Sequence, residues 1–200
     1  MKDVVLNLTG VTDQLPFRNY YEQRNGTVAQ KIAEYLERQY LGEVKILSGE
    51  QYIVPPKTIT KVAAGKYGIH GPEDFYGGAV EYLDHVGKAI LHPTVGKDAA
   101  VPEYYSHAFA QRVGNDRFVL PGFTVFNTDD AQEAFIQMVR KGHNSVRVKK
   151  TMESGGLGQK TIDSIEELLE FIARKISAEE LNTHGLVLEV AISNPRTVSV

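Results

Sequence analysis

A lysine followed by a glycine-rich segment is the strongest chemical signal in the sequence. Lys149 ends a predicted strand, and Gly155, Gly156 and Gly158 follow closely after it. Backbone amides of glycine residues can approach phosphate oxygens because no Cβ intervenes, and a nearby lysine supplies the countercharge. The pattern predicts a phosphate-binding loop over a nucleotide, and the alternative is an ordinary hairpin turn beside an exposed lysine.

Two familiar phosphate-binding loops are excluded by their spacing. The P-loop requires Gly-Lys-Ser or Gly-Lys-Thr, whereas Lys160 and Thr161 follow Gln159. The dinucleotide-binding fingerprint requires a third glycine where Thr161 stands. A phosphate site in this chain is therefore of another type.

Glu189 is the second chemical signal, because it lies inside the apolar run 185–192. A carboxylate in such a run is costly to bury unless it finds a partner. A purine amino group or a ribose hydroxyl would serve as that partner. A salt bridge to Arg147 or Lys149, or an edge strand that exposes Glu189 to water, explains the same pattern.

Other residues give weaker signals. Lys88 opens a predicted helix after Gly87 and is either a second phosphate contact or a solvated surface lysine. The six histidines show no metal-ligand spacing, so no metal site is predicted on them. No Gly-x-Ser-x-Gly motif is present, which removes the basis for a serine hydrolase.

Composition describes an ordinary globular chain. Of its 200 residues, 42% are hydrophobic and 24% are charged, which excludes collagen-like, low-complexity and strongly disordered proteins. A net charge of −3 gives no electrostatic basis for wrapping a nucleic acid or docking on an anionic membrane. The absence of cysteine excludes disulfides, zinc–thiolate sites and thiol nucleophiles. We expect neither a nucleic acid nor a membrane as a partner.

The N-terminal residues predict a first strand over 4–9 rather than a signal peptide. They lack the apolar core of roughly 7–15 residues that a signal peptide requires. No apolar run approaches the ~20 residues needed to cross a bilayer. We therefore expect a cytoplasmic protein.

Alternating strand and helix patterns predict an α/β fold. A capping-box pattern at Thr27 and Gln30 indicates a helix that begins there and ends before Gly42. Strand–helix–strand with short loops favours a parallel unit. The remaining N-terminal elements are predicted as strands over 44–47 and 52–54 and a weak helix over 58–67.

The C-terminal pattern is sharper. A stretch rich in Gly, Pro and Asp over 68–87 indicates a domain boundary, and short helices broken by loops follow over 88–111. The later predicted elements are a strand over 118–126 with an internal turn, a helix over 127–141, a strand over 145–149, a returning strand after the glycines, a helix over 164–176 and a strand over 185–192.

The order of these features resembles the ATP-grasp superfamily. The matching segments are Lys88, Leu120-Pro121-Gly122, the helix from Thr128, Val146-Arg147-Val148-Lys149, Ser154-Gly155-Gly156-Leu157-Gly158-Gln159, the helix from Ser164 and Gly185-Leu186-Val187-Leu188-Glu189. More closely, the chain resembles the front part of an uncharacterised bacterial ATP-grasp-like family of unknown function. The segments that carry this second resemblance are Tyr52-Ile53-Val54-Pro55, Gly68-Ile69, Asp74-Phe75-Tyr76-Gly77-Gly78, Lys88-Ala89-Ile90-Leu91-His92-Pro93 and Gly155-Gly156-Leu157-Gly158-Gln159.

The resemblance implies an architecture and a chemistry. It implies a Rossmann-like N-terminal domain over 1–78, a linker over 79–117 and an incomplete ATP-grasp nucleotide-binding subdomain of α+β type over 118–200. In that superfamily ATP phosphorylates a carboxylate, and an amine or thiol then attacks the acyl phosphate. The implied cofactors are ATP and Mg²⁺ and the implied partner is a small-molecule carboxylate, with a homodimer left open.

The resemblance also implies roles for individual residues. By analogy Lys88 and Lys149 contact nucleotide phosphates. Gly155, Gly156, Gly158 and Gln159 form a mobile flap over them. Glu189 and the backbone of 190–192, which includes Ala191, hold the adenine edge.

One departure from the superfamily limits what the chain is expected to do. ATP-grasp enzymes place their magnesium-binding carboxylates after the adenine hinge, and eleven residues follow Glu189. We therefore expect the metal ligands to lie beyond this chain and the chain alone to be an inactive portion of a ligase, with its catalytic residues unknown. The alternatives are a non-catalytic nucleotide-binding or interaction module and an α/β domain that binds no nucleotide.

Overall fold

The computed structural model describes residues 2–6, 18–44, 51–153 and 156–193. Helices and strands are mixed along the chain, as the α/β prediction requires. Its contacts divide the chain into two units, Met1–Leu83 and Asp84–Val200, which we term the N-terminal and C-terminal domains. Residues 84–117, most of the predicted linker, are grouped by their contacts with the C-terminal domain.

A three-stranded parallel sheet forms the centre of the N-terminal domain. Its strands are β1 (Asp3–Leu6), β2 (Tyr40–Glu43) and β3 (Gln51–Val54), in the order β2-β1-β3. Helix α1 (Arg18–Tyr35) connects β1 to β2. The predicted parallel strand–helix–strand unit is thus confirmed.

Apolar residues cover both faces of this sheet. Val4 packs with Ala29, Ala33 and Val54, whereas its neighbour Val5 belongs to a separate cluster with Ile53, Ala64, Ile69 and Phe75. Because successive side chains point to opposite faces, a strand covered on both sides must be apolar at consecutive positions.

Helix α1 begins nine residues earlier than the predicted start at Thr27. Thr27 is an internal residue whose hydroxyl donates to the Gln23 carbonyl at 2.9 Å. Asn25 is buried, and its amide donates to the Pro56 carbonyl at 3.4 Å. These hydrogen bonds satisfy the groups that would otherwise favour a turn at Asn25-Gly26.

Three short elements complete the N-terminal domain. They are β4 (Ile59–Thr60), α2 (Lys61–Lys66) and β5 (Ala79–Val80), and β4 pairs with β5 in parallel. The predicted helix over 58–67 is therefore shorter than expected, because Thr60 caps it by accepting from the Ala63 amide. Of the predicted strand over 44–47, only Val44 lies among the described residues.

An antiparallel sheet forms the centre of the C-terminal domain. Its strands are β6 (Gly122–Val125), β7 (Val146–Lys150), β8 (Gln159–Ile162) and β9 (Leu186–Val190), in the order β6-β9-β7-β8. The domain also contains the helices α3 (His107–Gly114), α4 (Thr128–Arg140), α5 (Ile165–Lys175) and α6 (Ala178–His184), and the 3₁₀ turn Lys88–Leu91.

The predicted strand over 118–126 is wrong in its first part. The chain turns at Asp116, whose carbonyl accepts from the Val119 amide at 3.0 Å and whose carboxylate accepts from the Phe118 amide at 3.0 Å. The strand itself begins only at Gly122, after a proline that has no amide hydrogen to donate to a sheet.

The two faces of the C-terminal sheet differ in chemistry. Val146 and Val148 of β7 point to a core that includes Leu168 of α5 and Met138 of α4. Arg147 and Lys149 alternate with these valines and lie on the opposite face. The strand predicted over 145–149 is thus confirmed, and its two cations share one face.

Leu168→Ala is expected to destabilise the C-terminal domain by about 2–5 kcal/mol. Leu168 is fully buried in the core, and its truncation leaves a cavity that the surrounding helices and strands do not fill. Leu157→Ala is the matched control, since 54% of Leu157 is exposed and its loss should cost less than about 0.5 kcal/mol. Urea unfolding followed by circular dichroism measures both. Equal effects of the two substitutions would contradict this packing.

Candidate functional site

Three charged side chains meet on the face of the C-terminal sheet that is not covered by α4 and α5. Glu189 of β9 is directly opposite Arg147 of β7 in the antiparallel register. Lys149 lies two residues further along β7, on the same face as Arg147. Strand pairing alone therefore places two cations beside one carboxylate.

The Glu189 carboxylate is buried and has a partner at each oxygen. The Lys149 ammonium contacts Oε1, and the His92 Nε2 lies 3.5 Å from Oε2. Burial by itself would raise the pKa of Glu189, but the hydrogen bonds from His92 and Lys149 together with the charge of Lys149 lower it below its ordinary value. Of the alternatives for Glu189, the structure shows the salt bridge to Lys149.

Backbone hydrogen bonds hold His92 against the sheet. Thr124 of β6 donates its hydroxyl to the Ala89 carbonyl at 2.7 Å and its amide to the Pro93 carbonyl at 2.9 Å. The Tyr105 hydroxyl donates to the His92 carbonyl at 2.6 Å. Sequence reasoning did not place His92 in the site. The available signal was a single histidine within the apolar run that follows Lys88.

Lys88 lies near Lys149 and Glu189, but backbone carbonyls occupy its ammonium. Lys88 Nζ donates to the carbonyls of Lys150 and Thr151 at 3.3 and 3.4 Å and also to that of Glu153. Burial lowers the pKa of Lys88, and the nearby Lys149 charge adds to this effect. In this arrangement Lys88 holds the start of the loop between β7 and β8.

The glycine-rich loop connects β7 to β8 as a hairpin. The Lys150 amide donates to the Gly158 carbonyl at 2.8 Å, and Gln159, opposite Lys149, begins β8. Gly156 and Gly158 have φ values of +82° and +61°, which residues with a Cβ rarely adopt. Gly155 lies outside the described residues. The hairpin form leaves both the flap and the ordinary-turn interpretations open.

A pocket of about 180 Å³ lies directly beside the ion pair. It is lined by Leu120, Arg147, Lys149, Glu189, Val190 and Ile192. The Arg147 side chain has no hydrogen bond or ion pair within the described part of the chain. Ala191 is next to the pocket, but its amide already donates to the Ser145 carbonyl at 3.2 Å. The pocket thus presents one unpaired cation, one ion pair and an apolar wall.

The N-terminal domain has a larger pocket of about 400 Å³. Its walls are mainly small residues and backbone from α2 and the loop around Gly71. Its lysine, Lys61, is exposed and lies 3.2 Å from the Glu81 carboxylate. Paired cationic and anionic groups in a buried setting are found instead in the smaller C-terminal pocket.

Two further features bear on cofactors and location. Over 2–6, 18–44, 51–153 and 156–193, no group of three or more His, Asp or Glu side chains is arranged to hold a metal ion. No helix in these same ranges is long and apolar enough to cross a membrane.

Comparisons with known proteins give a family and a fold. A profile of the family described as "Protein of unknown function (DUF3182)" matches residues 13–200. No curated protein matches the chain. Among solved structures, D-alanyl-alanine synthetase A from Vibrio cholerae O1 biovar eltor str. N16961 is similar, with a TM-score of 0.55 at 12% identity. The match covers 96% of this chain and 60% of the synthetase, and at this identity it shows the fold alone.

Glu189→Gln is expected to destabilise the C-terminal domain at neutral pH, by an amount that shrinks in acid. The pKa of Glu189 is lower in the folded state than its ordinary value of 4.5. Its ionised form therefore stabilises the folded state at pH values above 4.5. That contribution is lost as the pH falls through the folded-state pKa. Thermal unfolding of both proteins at pH 7 and at several values below 4.5 measures the difference.

Glu170→Gln is the control for this experiment. Glu170 forms an exposed pair with Arg174 at 2.9 Å, and such pairs contribute little to stability. A stability difference for Glu189→Gln that stays constant across the pH range would contradict an ionised Glu189.

Proposed function

The chain belongs to the family of proteins of unknown function termed DUF3182, and we propose that its C-terminal domain binds ATP as the nucleotide-binding part of an ATP-grasp-like carboxylate ligase. The observation that carries the proposal is the single pocket in which Arg147, Lys149 and Glu189 meet beside the glycine-rich hairpin. The fold similarity to D-alanyl-alanine synthetase A supports the proposal at the level of architecture.

In the proposed complex, the charges of the pocket divide between the two ends of ATP. Lys149 meets a phosphate, because its side chain is 23% exposed and lines the pocket from β7. Arg147 supplies a second cation on the same face. Glu189 accepts from the adenine amino group, and the apolar side chains of Leu120 and Ile192 pack against the base.

The hairpin between β7 and β8 covers the phosphates in this proposal. Gly156 and Gly158 keep their backbone free of Cβ atoms, so that amides can approach phosphate oxygens. Lys88 anchors the hairpin through the carbonyls of Lys150 and Thr151 and adds positive charge nearby. Gln159 is opposite Lys149 in the strand register, and Ala191 lies in sequence between Val190 and Ile192, which line the pocket.

The proposed reaction of the whole protein is the activation of a carboxylate. A carboxylate oxygen attacks the γ-phosphorus of ATP, and ADP leaves with the electrons of the broken phosphoanhydride bond. An amine or thiol then attacks the acyl carbon and releases inorganic phosphate. In such a reaction the chain supplies positioning and charge neutralisation.

ATP in such reactions carries Mg²⁺, which neutralises the phosphates. The described residues do not fit a Mg²⁺ site, since they hold no cluster of three acidic or histidine ligands. The roles proposed for Lys149 and Glu189 therefore depend on their own charges and not on a metal. The parallel sheet of the N-terminal domain supports the further proposal that this domain is Rossmann-like.

Lys149→Ala is expected to weaken ATP binding by roughly 1.5–3 kcal/mol, which is about 10- to 150-fold in Kd. The substitution removes the one ammonium that pairs with Glu189 and faces the pocket. Isothermal titration of the full chain with ATP measures the change.

Lys160→Ala is the matched control for charge. Lys160 is exposed on β8 and pairs in register with Val148, so it lies on the other face of the sheet from Lys149. Equal affinities of the wild type and Lys149→Ala would overturn the proposed site. ATP binding without release of phosphate, in the presence of Mg²⁺ and carboxylates, would favour the non-catalytic nucleotide-binding module.

A further inference from the structure

His92 is a buried histidine with only one of its two nitrogens engaged. Its side chain is 3% exposed, and Nε2 lies 3.5 Å from the Glu189 Oε2. The Nδ1 atom is buried and has no hydrogen-bond partner among the residues that the structure describes. This asymmetry restricts which form of the imidazole is compatible with the site.

The protonated imidazole would place an N–H at both ring positions. A buried N–H without an acceptor is expensive, whereas a bare nitrogen lone pair in the same place costs less. The geometry therefore favours the neutral imidazole with its proton on Nε2, donating to Glu189.

A neutral donor behaves differently from a cation when a phosphate arrives. Lys149 is attracted by both Glu189 and an anionic phosphate, so that a bound nucleotide competes for its ammonium. Once Lys149 turns to the phosphate, Glu189 loses its closest charged partner. The neutral His92 is not drawn away, because it carries no charge and its backbone is tied to Tyr105 and to the segment that Thr124 holds.

We propose that His92 is a positioning residue that keeps the ionised Glu189 in place, so that Lys149 can exchange this carboxylate for a nucleotide phosphate. The proposal rests on the proposed function, because it assigns a step within nucleotide binding to that same pocket. His92 itself contacts Glu189 and not the nucleotide.

The exchange of Lys149 from Glu189 to a phosphate affects whether Glu189 takes up a proton. With His92 present, Glu189 keeps the His92 donor after Lys149 leaves, so it stays ionised and takes up no proton. Without His92, the buried carboxylate in the nucleotide complex has lost both of its protein partners and keeps only the neutral adenine amino group, so burial raises its pKa. Nucleotide binding then draws a proton onto Glu189, and the affinity of such a variant improves as the pH falls.

The first experiment is titration of the full chain with ATP in two buffers of different ionisation enthalpy, which counts the protons exchanged. We expect His92→Phe to weaken ATP binding about tenfold, which is the loss typical of one hydrogen bond to a charged group. We also expect this variant to take up more protons on binding ATP than the wild type does at the same pH. His92→Gln, whose amide can donate from the position of Nε2, should restore most of the affinity and the wild-type proton count.

His143→Phe is the control, since His143 does not line the pocket. An unchanged affinity and proton count in His92→Phe, with the wild type binding ATP normally, would overturn the role of His92 and leave the proposed function standing. Failure of the wild-type chain to bind ATP would instead overturn the proposed function.

The second experiment needs neither a variant nor a ligand. The ¹⁵N shifts of the imidazole nitrogens distinguish the two neutral tautomers from the cation in the full chain. We expect His92 at pH 7 to carry its proton on Nε2 with a bare Nδ1. A proton on Nδ1, alone or together with one on Nε2, would overturn the proposal even if His92→Phe failed to fold.

Discussion

The buried charge of Glu189 is the constraint on which the C-terminal domain depends. Its strand, β9, lies between β6 and β7, so the carboxylate cannot turn to bulk water at a sheet edge. A carboxylate in that position must find donors within the protein. It finds one from the neighbouring strand, Lys149, and one from the segment that crosses the sheet, His92. Both partners are held by other contacts, so the same charge ties together three separate parts of the chain.

The register of the strands determines which face of the sheet carries Glu189. Because side chains alternate, a shift of one residue would move every side chain of β9 to the other face. Glu189 would then enter the cluster of Leu168 and Met138, while Leu188 would leave it. Gly122 adds to the constraint from β6, since a Cβ at that position would lie 2.4 Å from the Leu188 carbonyl oxygen. The apolar face thus stabilises the domain, and the charged side chains lie on the opposite face.

Local pattern predicted many of the elements correctly. Helices α4 and α5 have regular apolar spacing and side-chain caps, with Asn127 accepting from the Asp130 amide and Ser164 from the Glu167 amide. Strong periodicity and a cap agree there, so local and tertiary preferences coincide. The predictions are wrong where the local and the tertiary preferences disagree. The predicted start of α1 is wrong because a buried acceptor for Asn25 overrides its preference for a turn. The predicted strand is wrong over 118–120 because Asp116 organises a turn there, which the hydrophobic pattern does not reveal.

The sequence by itself identified Lys149, before the glycines, and Glu189, inside the apolar run, as the main candidates for binding a nucleotide. It also determined the alternation that puts Arg147 and Lys149 on one face. Only the tertiary structure decided which partners these residues take. The pairing of β7 with β9 placed Lys149 beside Glu189. The packing of 88–93 against the sheet brought His92 to the same carboxylate and directed Lys88 toward the hairpin carbonyls. The physical reason is that a side chain's type and periodicity are local properties, whereas its partner depends on which distant segment is brought within hydrogen-bond reach.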